Sequence, residues 1–308
     1  MQIIENQMNF QIDDETVVSI GKFDGVHRGH LKILEAMQEY KSRGMKLAIF
    51  TFSTPPASVF LKKQTEVLTT KDEKRAIFEA IGIDYLVEFP FDAKTAAITA
   101  EQFVEFLVKQ MNMKACVVGT DCRFGYMGRG NFELLKEMSK ENQYDMRVIE
   151  KLVYNNHEIS STYIRETVET GNIPLANDML SRPYEVSGVV VHGKQLGRTI
   201  GMPTVNLLPS SDKILPPNGV YFSEVVHDGR VYPSITNIGQ KPTVSQNEMV
   251  MGVESYLYDF SEDFYGEKIK VLLYEFVRSE MKFPSIETLK TQMERDISKG
   301  ALWHKKRT

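Results

Sequence analysis

Little in this 308-residue chain points to an oxidising compartment, a membrane or a polyanion. It has two cysteines, Cys116 and Cys122, too few for a disulfide framework and suited to a reducing cytosol. It has no basic excess. Thirty-seven Lys+Arg face 41 Asp+Glu, a formal net charge of −4, whereas a non-specific nucleic-acid binder needs a cationic face to release counterions. No run approaches the roughly 18 apolar residues of a membrane span. The polar stretch from Met1 to Phe10 lacks the basic end and apolar run of a signal peptide. Internal repeats and low-complexity segments are also missing. What is there is ordinary: 42% hydrophobic and 25% charged residues, a mixture that builds packed cores and excludes wholesale disorder. At about 150 residues per domain, the length accommodates two. The expectation is a cytoplasmic two-domain protein without nucleic-acid or membrane partners.

The first part alternates two periodicities. Thr16 to Gly21 is a β-branched run ending in glycine, and Leu31 to Tyr40 has helical spacing stopped by Arg43-Gly44. Met45 to Phe52 reads as a buried strand. Thr70 with Glu73 forms a capping box before a helix to about Ile81, and Thr99 with Gln102 forms another before a helix through Met111. Tyr85 to Phe89 and Ala115 to Gly119 are further strands, and Asn131 caps a helix through Leu135 and Met138. This alternation predicts a parallel sheet with helices on its faces. After a helical stretch from Ser161 to Thr170, Gly171 and Pro174 interrupt, and Arg182-Pro183 closes a short connector. Six strand-like segments follow: 184–192, 204–208, 219–226, 231–238, 253–258 and 269–277. With no helices between them they predict a small antiparallel barrel or sandwich, and a last amphipathic helix spans about Ser285 to Ser298. The acidic excess lies entirely in residues 1–182, and residues 183–308 are balanced. The halves are therefore two different domains, 1–182 and 183–308.

The richest chemistry lies in Gly21-Lys22-Phe23-Asp24-Gly25-Val26-His27-Arg28-Gly29-His30, where the first strand gives way to the first helix. Glycines let the backbone approach a ligand, and a helix N-terminus offers N–H groups to phosphate. His27 and His30 can point into one site and donate to phosphate oxygens. The competing readings are a glycine turn with two surface histidines and a metal pair, but no His/Cys cluster completes a ligand set. Ile159 to Arg165 opens a later helix with Ser161, Thr162 and Arg165, an anion site or an ordinary cap. In the second half, Gly193 to Arg198 is a glycine-punctuated loop entering a strand, either a phosphate loop or a flexible hairpin. Thr204 and Asn206, two apart in that strand, share a face. Their oxygens suit a hard cation such as Mg²⁺ or simply a solvated surface.

In order and spacing these segments resemble the HxGH nucleotidyltransferases and, more closely, the prokaryotic bifunctional riboflavin kinase/FAD synthetases. The first half supplies Gly21 to His30, Leu68-Thr69-Thr70 with Glu73-Lys74, Gly119 to Gly125 and Ile159 to Arg165. The second supplies Gly188 to Asn206, Asn218 to Tyr221, Asn237 to Thr243 and Val253 to Gly266. The resemblance implies a Rossmann-like α/β nucleotidyltransferase domain followed by a six-stranded antiparallel β-barrel kinase domain with a terminal helix. It implies ATP as co-substrate, Mg²⁺ as cofactor, and riboflavin, FMN and FAD as ligands. His27 and His30 would act on the ATP phosphates, among Gly21, Phe23, Asp24, Gly25, Gly29, Ser161, Thr162 and Arg165. Asp121 and Phe124 would shape the flavin or nucleotide side. Gly193, Gly197 and Arg198 would cover the kinase nucleotide, Thr204 and Asn206 would serve the metal, and Glu254 would be the base. Some positions depart from the family pattern: Ser53 to Pro56, Cys122, Tyr126 to Arg129, Val205, Lys241 and Tyr256. They keep two alternatives open, a paralogue with one activity and a non-catalytic flavin-binding regulator.

Overall fold

The computed structural model describes residues 1–5, 9–53, 65–193, 197, 201–242 and 249–307. Apolar runs form its first strands, and locally capped amphipathic stretches form the helices between them. In chain order they are β1 (Gln2–Glu5), β2 (Thr16–Ile20), α1 (Arg28–Lys41), β3 (Lys46–Phe52), α2 (Lys71–Ile81), β4 (Tyr85–Phe89), α3 (Ala93–Ala96), α4 (Ala100–Gln110), β5 (Met113–Gly119), α5 (Phe132–Ser139) and β6 (Asp145–Ile149). A two-residue hairpin, β7 (Val153–Tyr154) and β8 (His157–Glu158), follows. Both capping boxes form. Thr70 accepts from the Glu73 amide at 3.3 Å while Glu73 Oε2 accepts from the Thr70 amide at 2.9 Å, and Thr99 with Gln102 repeats the exchange at 3.1 and 3.2 Å.

The six strands form one parallel sheet in the order β1-β4-β3-β2-β5-β6. One face packs Val18, Phe50, Val87 and Cys116 against α4 and α5 through Phe103, Leu107 and Leu135. The other packs Val17, Ile49, Leu86 and Val117 against α1 and α2 through Leu34, Met37 and Phe78. The chain runs outward from β2 through β3 and β4, then places β5 on the opposite side of β2. The carboxyl end of β2 therefore sits where the strand order reverses, the place at which open α/β sheets receive ligands. Two edge strands go beyond the sequence expectation. β1 buries only Ile4, and β6 buries only Ile149, so neither carries the apolar run that marks the inner strands.

A second unit begins at Thr162. It contains nearly all of α6 (Ser161–Glu169), then α7 (Ile173–Leu180), β9 (Tyr184–Val191), β10 (Thr204–Pro209), β11 (Gly219–His227), β12 (Arg230–Pro242), β13 (Met249–Leu257), β14 (Lys268–Ser279) and α8 (Ile286–Lys305). Pro174 lies in the first turn of α7, where its missing N–H costs no helical bond. The six strands close into an antiparallel barrel, β10-β13-β12-β11-β14-β9, which decides between barrel and sandwich. Asn177 of α7 donates to the Leu273 carbonyl at 2.9 Å and accepts from the Tyr184 amide at 2.7 Å. Through such bonds residues 162–182, which the sequence expectation assigned to the first domain, group with the barrel.

The barrel interior is not wholly apolar. Among Tyr221, Val225, Ile238, Val253 and Leu257 lie four buried hydroxyls. Ser223 bonds Ser234 at 2.8 Å and Thr236 at 2.7 Å, and Thr236 bonds Ser255 at 2.7 Å. Because each hydroxyl both donates and accepts, the chain satisfies itself without water. α8 lies on the outer wall, where Tyr258 donates to the Ile297 carbonyl at 2.6 Å and Arg278 pairs with buried Asp296 at 2.6 Å. It runs seven residues past the expected end at Ser298, to Lys305.

Candidate active sites

β2 ends at Ile20, and its chain turns through Gly21 to His27 before α1 begins. The turn is tight enough to force Phe23 (φ 50°) and Val26 (φ 39°) into the left-handed region alongside Gly25 (φ 81°). That conformation is costly for a β-branched residue, and full burial of both apolar side chains offsets it. The turn is pinned to the segment before α2. Asp24 Oδ1 accepts from the amides of Leu68 (2.9 Å) and Thr69 (3.2 Å), and Thr69 Oγ1 accepts from the Gly25 amide at 2.9 Å. Ser161 donates to the Asp24 carbonyl at 2.8 Å.

His27 occupies the N-cap of α1 without capping it through its side chain. Its ring stacks on that of His30 with centroids 3.8 Å apart and 19° between planes, and Phe23 backs His30 at 5.0 Å. Gly29 leaves the room, since a Cβ there would stand 3.1 Å from the His27 ring. Two imidazoles at a helix N-terminus make a donor site for phosphate. Lys74 of α2 reaches the Lys22 carbonyl at 3.3 Å. Burial holds its pKa below the ordinary lysine value, with Glu88 and Asp24 pulling the other way. The sequence reading had Glu73-Lys74 within a motif but gave Lys74 no role.

The flavin-side candidates fall differently. Asp121 is exposed and faces Lys151 at 4.0 Å. Phe124 is buried in the core, 5.5 Å from Phe103, so any effect it has on a ligand passes through the packing of the wall. Cys122 fills the same core, and burial pushes its thiol up to about 12. Thr162 and Arg165 belong to the second unit, in α6.

In the barrel wall, antiparallel register places Asn206 opposite Glu254, and Glu254 opposite Asn237. The alternation that buries Val253 and Ser255 turns Glu254 to the other face. There Thr204 donates to Glu254 Oε1 at 2.5 Å, and Lys241 donates to Glu254 Oε2 at 2.5 Å and to Asn206 Oδ1 at 2.8 Å. Gly193 and Gly197 border this cluster. A Cβ on Gly193 would stand 2.7 Å from the Asn206 amide, and one on Gly197 would stand 3.5 Å from Thr204 Oγ1. Arg198 lies outside the described residues. The geometry thus assembles a carboxylate, a hydroxyl and an amide oxygen, with two glycines whose bare backbone packs against them and against the Met202 carbonyl. It adds Lys241, which in the sequence stands only as a departure from the family pattern.

A FAD synthetase family model matches residues 9–163, and a riboflavin kinase family model matches residues 180–303. The chain belongs to the bifunctional riboflavin kinase/FMN adenylyltransferase family. The Bacillus subtilis bifunctional riboflavin kinase/FMN adenylyltransferase is 34% identical over 92% of this chain and 90% of its own length. Its Escherichia coli K12 counterpart is 37% identical over 91% and 90%. A Streptococcus pneumoniae crystal structure, described as a macrolide-efflux protein, superposes with a TM-score of 0.85 at 28% identity, covering 96% of this chain and 97% of that one. Among the described residues of the present chain, no helix is long and apolar enough to cross a membrane. Both halves of the family are present here, the α/β unit as the FAD synthetase part and the barrel as the riboflavin kinase part. Among the described residues no group of three or more His, Cys, Asp or Glu could hold a metal, so a cation in the kinase part would rest on hydroxyl, amide and single-carboxylate oxygens.

Proposed function

We propose that this bifunctional enzyme makes FMN at the barrel wall and FAD at the carboxyl end of β2, with the residues described above in the following roles. In the first reaction Glu254 accepts the proton of the riboflavin 5′-hydroxyl while that oxygen attacks the γ-phosphorus of ATP. An O–P bond forms, the bond to the β-phosphate oxygen breaks, and ADP leaves. Asn206 and Thr204 orient the phosphates, and the loop from Gly193 to Arg198 covers them. The observation that carries this reading is the convergence of Thr204, Asn206 and Glu254 on one face through strand register.

The same oxygens fit a divalent cation. The amide and carboxylate oxygens already take an ammonium group, that of Lys241, so this pair attracts positive charge, and hydroxyl, amide and carboxylate oxygens suit Mg²⁺. Held there by Thr204 and Asn206 beside Glu254, the ion would supply charge neutralisation to the phosphates. In the second reaction an FMN phosphate oxygen attacks the α-phosphorus of ATP and pyrophosphate leaves. His27, His30 and the amides of the α1 N-terminus hold the charge that develops, and Ser161, Thr162 and Arg165 supply further phosphate contacts. Asp121 borders the flavin side, and Phe124 supports that wall from within the core. The domains of work are residues 1–182 and 183–308, although the helices of 162–182 group with the barrel. Buried thiols and the near-balanced charge support a cytoplasmic setting.

The decisive experiment supplies riboflavin, ATP and Mg²⁺ to the purified protein and separates the flavins by chromatography. FMN appears first and FAD follows. FMN alone points to a kinase, conversion only of supplied FMN to an adenylyltransferase, and no turnover to a binding protein.

A further inference from the structure

The kinase-site oxygens are held by a cation that belongs to the chain. Lys241 enters from β12, and its stem crosses Gly252 of β13. A Cβ at position 252 would stand 2.8 Å from Lys241 Cδ and 3.2 Å from Cε. The bare glycine is the groove that directs the ammonium along the strand to Glu254 and Asn206. There it takes Glu254 Oε2 at 2.5 Å and Asn206 Oδ1 at 2.8 Å, while Thr204 bonds the other carboxylate oxygen at 2.5 Å. Two of the three side chains assigned to metal and base, Asn206 and Glu254, are therefore bonded to one positive charge before any nucleotide arrives, and Thr204 joins them through Glu254. A second cation entering the same oxygens meets that charge at contact distance, where repulsion is strong even under the screening near a protein surface.

We propose that Lys241 is a resident place-holder for the metal. It keeps Glu254 neutralised and Asn206 aimed inward in the ligand-free site, and it excludes free divalent cations. It yields these oxygens when the metal arrives on a nucleotide, whose phosphates bring the negative charge that outweighs its own. Lys241 is thus a positioning residue that makes the kinase site accept metal–nucleotide as a unit. The proposal rests on the assignment of Thr204 and Asn206 to the metal.

Binding of Mn²⁺ to the full-length protein, followed by electron paramagnetic resonance without nucleotide, tests it with no turnover. Wild type binds free Mn²⁺ weakly. Lys241→Met should bind it at least about ten-fold more tightly, Lys241→Arg should stay at the wild-type level, and Asn206→Ala added to Lys241→Met should abolish the gain. Circular dichroism of each variant confirms that the barrel is folded. Equal free-Mn²⁺ affinity in wild type and Lys241→Met, or a gain that survives Asn206→Ala, overturns the place-holder. A parallel titration with Mn·ADP separates this from failure of the metal assignment. If Asn206→Ala leaves that signal unchanged, Thr204 and Asn206 do not serve the metal and the proposal falls with them.

Discussion

Glu254 and His30 show how differently two side chains come by their roles. His30 is placed by its own neighbourhood, three residues from His27 on one helical turn, and so its pairing is legible in the sequence. Glu254 bonds a hydroxyl fifty residues away, and only barrel register brings the two together. Lys241 was the hardest to read, because its stem follows a groove made by Gly252, a residue that has no side chain to notice. Each assignment has a direct consequence. Glu254→Ala should lower FMN formation by about two orders of magnitude or more, the usual worth of a general base, and leave conversion of supplied FMN to FAD intact. His30→Ala should do the reverse. Loss of both activities in either folded variant would contradict separate sites. The thiols offer an independent check on packing. Burial raises both Cys116 and Cys122, the latter to about 12, so neither is a thiolate near neutral pH. A disulfide reagent at pH 8 should therefore label neither in the native protein, and both in guanidinium. Rapid native labelling of Cys122 would mean that the wall behind Phe124 is open.

At the scale of elements, what could be read was what is local. Capping boxes at Thr70 and Thr99 and the Asn131 cap all formed where their spacing placed them, since a cap needs only residues within one turn. The edge strands β1 and β6 escaped because their polar faces blur the period on which strand recognition depends. The turn before α2 does more than start a helix, for Leu68 and Thr69 hold Asp24 and Gly25 of the phosphate turn. Thr70→Ala should cost about 1 kcal/mol of stability, measured by urea denaturation. It should also raise the ATP requirement of FAD formation while leaving FMN formation unchanged. α1 is tied to β6 by Tyr40, whose hydroxyl donates to Asp145 at 2.8 Å. Burial first, and then that bond, push the phenol from 10.0 to about 12. A raised folded-state value means a contribution fully present below the unfolded pKa and lost as pH rises through the folded one. The contribution of Tyr40 should hold up to about pH 10 and vanish through about pH 12. Tyr40→Phe should remove that part of the alkaline loss and cost about 1 kcal/mol near neutral pH. An unchanged alkaline limb would assign the loss to other tyrosines.

At the scale of the molecule, the two chemistries need different supports, and the chain provides two folds. On the proposed roles, adenylyl transfer uses a helix N-terminus at the switch of a parallel sheet, a place that favours phosphate without any net basic charge. On the same proposal, phosphoryl transfer uses the outer face of a closed barrel, where alternation lifts Glu254 away from a core of hydroxyls and aliphatics. The overall net charge of −4 is compatible with anionic substrates because exposed charges farther than about 8 Å away are largely screened at physiological salt. On the proposed roles each site takes its catalytic residue from its own unit, so FMN made by one molecule should serve as substrate for another. This gives a test by mixing. Glu254→Ala protein alone and His30→Ala protein alone should each fail to turn riboflavin into FAD. Combined with riboflavin, ATP and Mg²⁺, they should produce it after a lag, during which FMN accumulates in solution. The lag should shorten as the His30→Ala protein, the source of FMN, is increased. If no FAD forms although each variant retains its remaining activity when assayed separately, FMN is not passing through solution. The two units of a single chain would then have to act on it together.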